Sequence, residues 1–286
     1  MSFQERYGPW AFIAGASMGI GAALSHEAAA RGLNVVMLAR GEALLKEEAD
    51  RVREQHGVET RSVVGDLVEP SIGQVVADAT DDIEVGLLVY NATIAMQGHF
   101  LDVPLDDQLA SVAVNCATPL ILINLFGHRM RERGRGGIAL ISSTGGTGGS
   151  VNFSTYNAGK AYQWMLVETL WAELEPAGVD VTSILVGPTY SPNYAAFHET
   201  LDPNLQGSRV SQDPLERARA RLFDPSTPAD VAVALYDQLG TGPVCYSHPD
   251  DEFIARSSLA LPRDEAVALW KGVMDTSTRT PSRIAR

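Results

Sequence analysis

Residues 10–24 read WAFIAGASMGIGAAL, and the fold turns on how the apolar half of this stretch meets the glycine half. The run WAFIA has no polar member, which suits a strand covered on both faces rather than one with a wet side. Gly15, Gly19 and Gly21 then lead into an alanine- and leucine-rich segment near 20–31. The same exchange recurs down the chain. Apolar runs at 34–39, 59–64, 84–91, 136–142, 180–186 and 242–247 alternate with helical stretches near 42–55, 70–80, 105–133, 155–175 and 228–239. Apolar strands separated by helices predict an α/β fold built on one doubly wound parallel sheet.

The 286 residues, 45% hydrophobic and 20% charged, can bury a sizeable core, and no break in composition divides them. One domain over 1–286 is expected. Acidic residues (35) outnumber basic ones (22), and the net charge of −13 leaves no electrostatic footprint for nucleic acid. The N-terminal MSFQERYGPWAFIAGAS has no basic segment followed by a long apolar run, and nowhere do eighteen apolar residues occur together. The chain therefore reads as soluble and cytoplasmic, without a membrane partner. Cys116 and Cys245 are far apart and the six histidines are dispersed, so neither a disulfide framework nor a metal site is expected. Two stretches break the rhythm: 187–227, rich in Pro, Asn, Asp and Ser, and the polar tail 276–286. The first follows the carboxyl end of a strand, where open α/β sheets bind ligands, and is read as a substrate-covering segment.

Glycines between a first strand and a helix permit a tight turn, so free amides at the helix start can face a pyrophosphate. Their spacing here is GxxxGxG. Downstream stand Asp66 in VVGDLVEP, Asn91-Ala92-Thr93 ending the fourth strand, Asn115 in SVAVNCATP, Ser143, Tyr156 thirteen residues later, and Lys160 four after that. In this order the features resemble the short-chain dehydrogenase/reductase family, with a likeness that runs to about residue 246. Three positions depart from the family pattern: Ala14 stands for a Thr, Thr93 for a Gly, and Gly187-Pro188 inverts a Pro-Gly pair.

The resemblance implies a Rossmann-type fold and an oxidoreductase that interconverts a ketone or aldehyde and an alcohol with a nicotinamide cofactor. Its catalytic residues would be Ser143, Tyr156, Lys160 and Asn115. Cofactor contacts would come from Gly15, Ser17, Gly19, Ile20 and Gly21 in the glycine loop, and from Arg40, Asp66, Leu67, Asn91 and Ala92 at the following strand ends. Tyr156, Lys160, Gly187, Pro188 and Thr189 would complete the set. On a helix, Tyr156 and Lys160 share a face. A phenol with a pKa of about 10 gives up its proton reluctantly at neutral pH, and a nearby ammonium should lower that value. Ser143 would donate to the substrate oxygen, while Asn115 would anchor a water that connects Lys160 to solvent. The resemblance also implies a homodimer or homotetramer packed through 105–133 and 155–175. A sugar-nucleotide epimerase-like enzyme or a non-catalytic cofactor-binding regulator are the alternatives.

Around this set, GGTGG (145–149) is expected to form a mobile rim, with Asn152 and Phe153 facing substrate. Met96, Phe153, Tyr190, Tyr194 and Phe197 are bulky and lean toward a hydrophobic carbonyl substrate. Trp164, Met165 and Trp171 read as core or oligomer contacts. For the cofactor, no acid occupies 33–41 at the end of the second strand, and Arg40 offers a guanidinium suited to a phosphate. NADP(H) is expected in preference to NAD(H).

Overall fold

A computed structural model describes residues 1–276, so all but the first residue of the predicted polar tail lies outside the described residues. Among the described residues seven strands, β1 (Trp10–Ala14), β2 (Asn34–Ala39), β3 (Thr60–Val64), β4 (Val85–Tyr90), β5 (Gly136–Ser143), β6 (Val179–Val186) and β7 (Val244–Tyr246), form one sheet in the order β3-β2-β1-β4-β5-β6-β7. Every pairing is parallel. The chain winds outward from β1 in one direction and then from β4 in the other, so the crevice where ligands bind in such sheets opens between these two strands. Ala14 is in register with Leu38 on one side and Tyr90 on the other, which brings the ends of β1, β2 and β4 level.

The helices in chain order are α1 (Phe3–Tyr7), α2 (Gly19–Ala30), α3 (Glu42–His56), α4 (Ile72–Asp78), α5 (Leu105–Val112), α6 (Thr118–Arg133), α7 (Ser154–Leu174), α8 (Pro192–His198), α9 (Pro214–Phe223), α10 (Pro228–Gln238), α11 (Pro249–Ala260) and α12 (Arg263–Met274). Successive strand residues point to opposite faces, so each strand feeds two cores. Ile13, Met37, Val89 and Ile141 meet Leu24 of α2, Leu45 of α3 and Leu235 of α10. Phe12, Leu38, Leu88 and Tyr90 meet Leu122 and Phe126 of α6 and Val167 of α7. That double burial is why the strands carry uninterrupted apolar runs.

Two features differ from the sequence reading. Between α5 and α6 the predicted helix 105–133 is continuous but takes a π turn at Ala113–Ala117. The segment 187–227 is also no irregular loop: it carries α8 and α9, and its ends are tied together where Ser226 N donates to Pro188 O and Tyr190 N to Ser226 O. α9 joins α11 and α12, two helices that sequence reading missed, around a third small core of Leu201, Ala218, Leu222, Ile254, Trp270 and Val273. We call this unit the cap. Among the described residues, Leu105–Arg133 is the one helix long and apolar enough by composition to cross a membrane. Its apolarity has a local cause, since Leu122, Ile123, Phe126 and Met130 lie in the sheet core.

Candidate active site

The turn after β1 is compressed against the end of β4. Gly15 has φ +80°, and a Cβ there would meet the Ala92 backbone at 2.9 Å, so only glycine fits. Asn91 Nδ2 locks the turn by donating to Gly15 O at 3.0 Å, and the amides of Asn91 and Ala92 both reach Ala14 O. Helix α2 then starts at Gly19 without any side-chain cap, because Met18 at the N-cap forms no such bond. The space over Gly19 is open for 4 Å. Uncapped first-turn amides beside an open floor suit an anion, and a dinucleotide pyrophosphate fits that description.

The strand ends beside this turn carry the other residues named from sequence. Arg40, at the end of β2, is exposed, and its Nη1 stands 3.9 Å from Asp66 Oδ2 beyond β3. At that distance between exposed groups the pair holds Arg40 only loosely. Asp66 Oδ1 accepts from Val68 N at 3.1 Å, while the Leu67 carbonyl accepts from Thr118 Oγ1 at 2.6 Å. Ser17 and Ile20 lie half-buried in the glycine turn.

Ser143 closes β5, and Tyr156 and Lys160 come from the first turns of α7, which packs on β5 and β6. Ser143 Oγ accepts from Gly145 N at 3.1 Å. Burial pushes the Tyr156 phenol above its usual range, and a hydrogen bond from Ser143 works in the opposite direction. Lys160 is buried, its Nζ 5.7 Å from the Tyr156 ring centroid. The ammonium donates to Ile141 O at 2.6 Å and Gln163 Oε1 at 3.3 Å, and burial lowers its pKa to about 7. In the protein by itself desolvation dominates both groups.

Asn115, at the centre of the π turn, is fully buried and has its side chain occupied. Oδ1 accepts from Thr93 Oγ1 at 3.0 Å and Ile94 N at 3.1 Å, and Nδ2 donates to Ile94 O and Ser111 Oγ. Thr93, a departure from the family pattern, thus helps fix the loop beyond β4. The Asn115 carbonyl accepts from Gln163 Nε2 at 2.9 Å. Gln163 was missed in the sequence, although its position three residues after Lys160 puts it on the same helix face.

The loop after β6 is held by α11 and the turn before it. Gly187 N faces Asp251 Oδ2 at 3.3 Å and Ser247 Oγ at 3.4 Å. Asp251 is buried and paired with Arg221 Nε at 3.1 Å. Arg221 also donates to Ser226 Oγ at 2.9 Å, to the Asp224 carbonyl and to Pro188 O at 3.4 Å. Thr189 Oγ1 returns to Gly187 O at 3.1 Å. The inverted Gly-Pro pair is therefore bound to the cap.

On the substrate side, Phe153 stacks edge-on to Tyr156 with centroids 6.1 Å apart, and Met96 is half-buried. Asn152 is the one non-glycine residue with positive φ among the described residues, at 71°, and its carbonyl accepts from Gly98 N. Tyr190 is exposed. Tyr194 and Phe197, expected to line the pocket, are engaged within the cap: the Tyr194 hydroxyl donates to the Leu222 carbonyl and Phe197 packs on the cap core. The expected mobile rim is a packed turn, with Thr144 and Thr147 buried, Trp270 against Gly148, and Ser258 and Arg263 both donating to Thr147 O at 3.2 Å. Trp171 packs on the sheet core, whereas Met165 is exposed.

Residues 9–202 match the family described as short chain dehydrogenase. A 7beta-hydroxysteroid dehydrogenase of Collinsella aerofaciens is 36% identical over 196 residues, which cover 68% of this chain and 73% of that protein. A solved structure from work on 7beta-hydroxysteroid dehydrogenase stereoselectivity superposes with a TM-score of 0.81 at 28% identity, covering 94% of this chain and 99% of the other. A short-chain dehydrogenase from Sphingobium yanoikuyae in complex with NADPH gives a TM-score of 0.70 at 25% identity, covering 90% and 100%.

Proposed function

The chain belongs to the short-chain dehydrogenase family, and from that premise we propose an NADP(H)-dependent oxidoreductase that interconverts a bulky, hydrophobic ketone and its secondary alcohol. The observation that carries the reading is the meeting of Ser143, Tyr156 and Lys160 at the carboxyl end of β5, beside an uncapped helix start. Glycine-loop amides would hold the pyrophosphate, Arg40 the adenosine-side phosphate, and Lys160 the nicotinamide ribose. When bound, the nicotinamide supplies or accepts the hydride. The Tyr156 hydroxyl gives its proton to the carbonyl oxygen during reduction and takes it back during oxidation. Ser143 donates to the same oxygen and steadies the negative charge that gathers there. Lys160, charged, eases the loss of the Tyr156 proton.

The substrate class is supported by the 7beta-hydroxysteroid dehydrogenases to which the chain is similar and by Phe153 and Met96 beside Tyr156. The cap would cover that substrate and exclude water. A cytoplasmic homodimer or homotetramer completes the proposal. It is tested with a panel running from small ketones to steroid-sized ones, with NADPH and NADH in parallel, followed by absorbance of the reduced nicotinamide. Reduction of the bulky ketones with NADPH is expected, and absence of turnover across the panel would overturn the reading.

A further inference from the structure

Gln163 lies almost one turn beyond Lys160 on α7 and exposes no surface. Both ends of its carboxamide are used, Oε1 on Lys160 Nζ at 3.3 Å and Nε2 on the Asn115 carbonyl at 2.9 Å. That carbonyl is free for a reason written in the sequence. In an α-helix it would receive the amide four residues on, and that residue is Pro119, which has no N–H. The π turn at Ala113–Ala117 sits where the ladder is interrupted.

A buried ammonium is tolerated only with acceptors on its protons. Among the described residues Lys160 has two, and neither is a carboxylate: the Ile141 carbonyl of β5 and the Gln163 amide. The titratable groups that face it are Tyr156 on its own helix and Cys116 on the π turn, both neutral while protonated. We propose that Gln163 is a positioning residue for Lys160: anchored on the carbonyl that Pro119 leaves free, it holds the ammonium in place and helps keep it charged. The kinetic consequence rests on the dehydrogenase reading. The physical one does not.

Because burial has already brought Lys160 to about 7, an acceptor gained or lost shifts its charged fraction within the working pH range. Gln163→Leu removes an acceptor, and Gln163→Glu supplies a carboxylate of the same reach. Two measurements test this: the pH profile of kcat for ketone reduction with NADPH, and the pH titration of the Lys160 Cε resonance in lysine-labelled protein. The chain has two other lysines, Lys46 and Lys271, both exposed, so the signals separate readily. In Gln163→Leu the Lys160 midpoint should fall by about one pH unit or more, as for one lost charge-assisted bond, and the loss of kcat at rising pH should move down with it. In Gln163→Glu both should move up. Midpoints unchanged from wild type in both variants would overturn the proposal, as would a kcat lowered equally at every pH. If Gln163→Leu does not fold, Gln163→Glu and Gln163→Met decide. A moving Lys160 midpoint in a protein that reduces no ketone would support this role for Gln163 while removing the functional reading.

Discussion

The Asp251 carboxylate stands where a side chain at position 187 would have to go: a Cβ built on Gly187 meets its Oδ1 at 2.0 Å. Residue 187 must therefore be glycine, because Asp251, fixed by its buried pairing with Arg221, fills the space beside it. Gly187→Ala should cost about 1–3 kcal/mol by overpacking and should raise the KM for cofactor, since the loop proposed to contact the cofactor would have to shift. Asp251→Ala should cost about 3–5 kcal/mol, because it strands a buried guanidinium. The double variant Arg221→Met, Asp251→Leu should recover part of that loss. Urea unfolding of the four proteins checks the stabilities and steady-state kinetics the KM, and an Asp251→Ala protein as stable as wild type would refute the account.

Tyr156→Phe should lower kcat by about 10²–10⁴-fold, the usual contribution of a positioned proton donor, and leave the Kd for NADPH nearly unchanged. The change removes a transferable proton and almost no contact area. Lys160→Ala should harm both quantities, since in the proposed mechanism Lys160 serves proton and ribose alike. Steady-state kinetics and cofactor fluorescence titration separate the two effects.

Lys160 also makes stability depend on pH. Its folded pKa, about 7, lies below the 10.5 of an ordinary lysine, so between these values the unfolded chain binds the extra proton and stability rises with pH. The penalty of burying the charged side chain is thus full below about 7 and vanishes above 10.5. Lys160→Met should gain stability relative to wild type at pH values below 7, and that advantage should shrink by roughly 4–5 kcal/mol as pH is raised through the window. Chemical denaturation of both proteins across the window measures this, and a constant difference would contradict it.

Much of this was legible in the sequence, and the misses have physical reasons. Strands buried on both faces announce themselves by apolar runs, and the glycine turn, Tyr156 and Lys160 stand at spacings set by one strand end and one helix face. The cap was illegible because α11 and α12 bury only narrow stripes against α9, mixing Ser, Asp and Arg with Ile254 and Trp270. Arg221 and Asp251 look like surface charges on such helices, and only their pairing across thirty residues of chain takes them inside. The role of Gln163 depends on Pro119 removing a donor from another helix, a relation that no local pattern displays.

The outer face of the long helix predicts assembly. Leu105, Leu109 and Val112 follow one another at helical spacing and are 67%, 56% and 47% exposed, with Leu120 and Met165 also uncovered. Apolar stripes of this kind on paired helices mark an interface. Light scattering should give a dimer or tetramer at micromolar concentration, and Leu109→Glu should shift it toward monomer. A wild-type monomer would refute the assignment.

The proposed preference for NADP(H) rests on Arg40. At the end of β2 it is exposed, and its contact with Asp66, at 3.9 Å, is too long to occupy the guanidinium. It remains available to a phosphate on the adenosine ribose, while no acid in 33–41 offers a partner for a free 2′-hydroxyl there. Asp66 stands close enough to Arg40 to tether it loosely on that side, and an incoming phosphate would outcompete a screened carboxylate at that distance. Arg40→Ala should therefore raise the KM for NADPH and leave that for NADH nearly unchanged, because only the former loses a charge-assisted bond of about 1.5–3 kcal/mol, roughly a ten- to hundredfold effect. Asp66→Asn, which keeps the Val68 contact but removes the charge facing Arg40, should lower the KM for NADPH slightly. Equal catalytic efficiency of the wild type with NADPH and NADH, or a loss in Arg40→Ala that falls on both alike, would return Arg40 to the role of a solvated strand end.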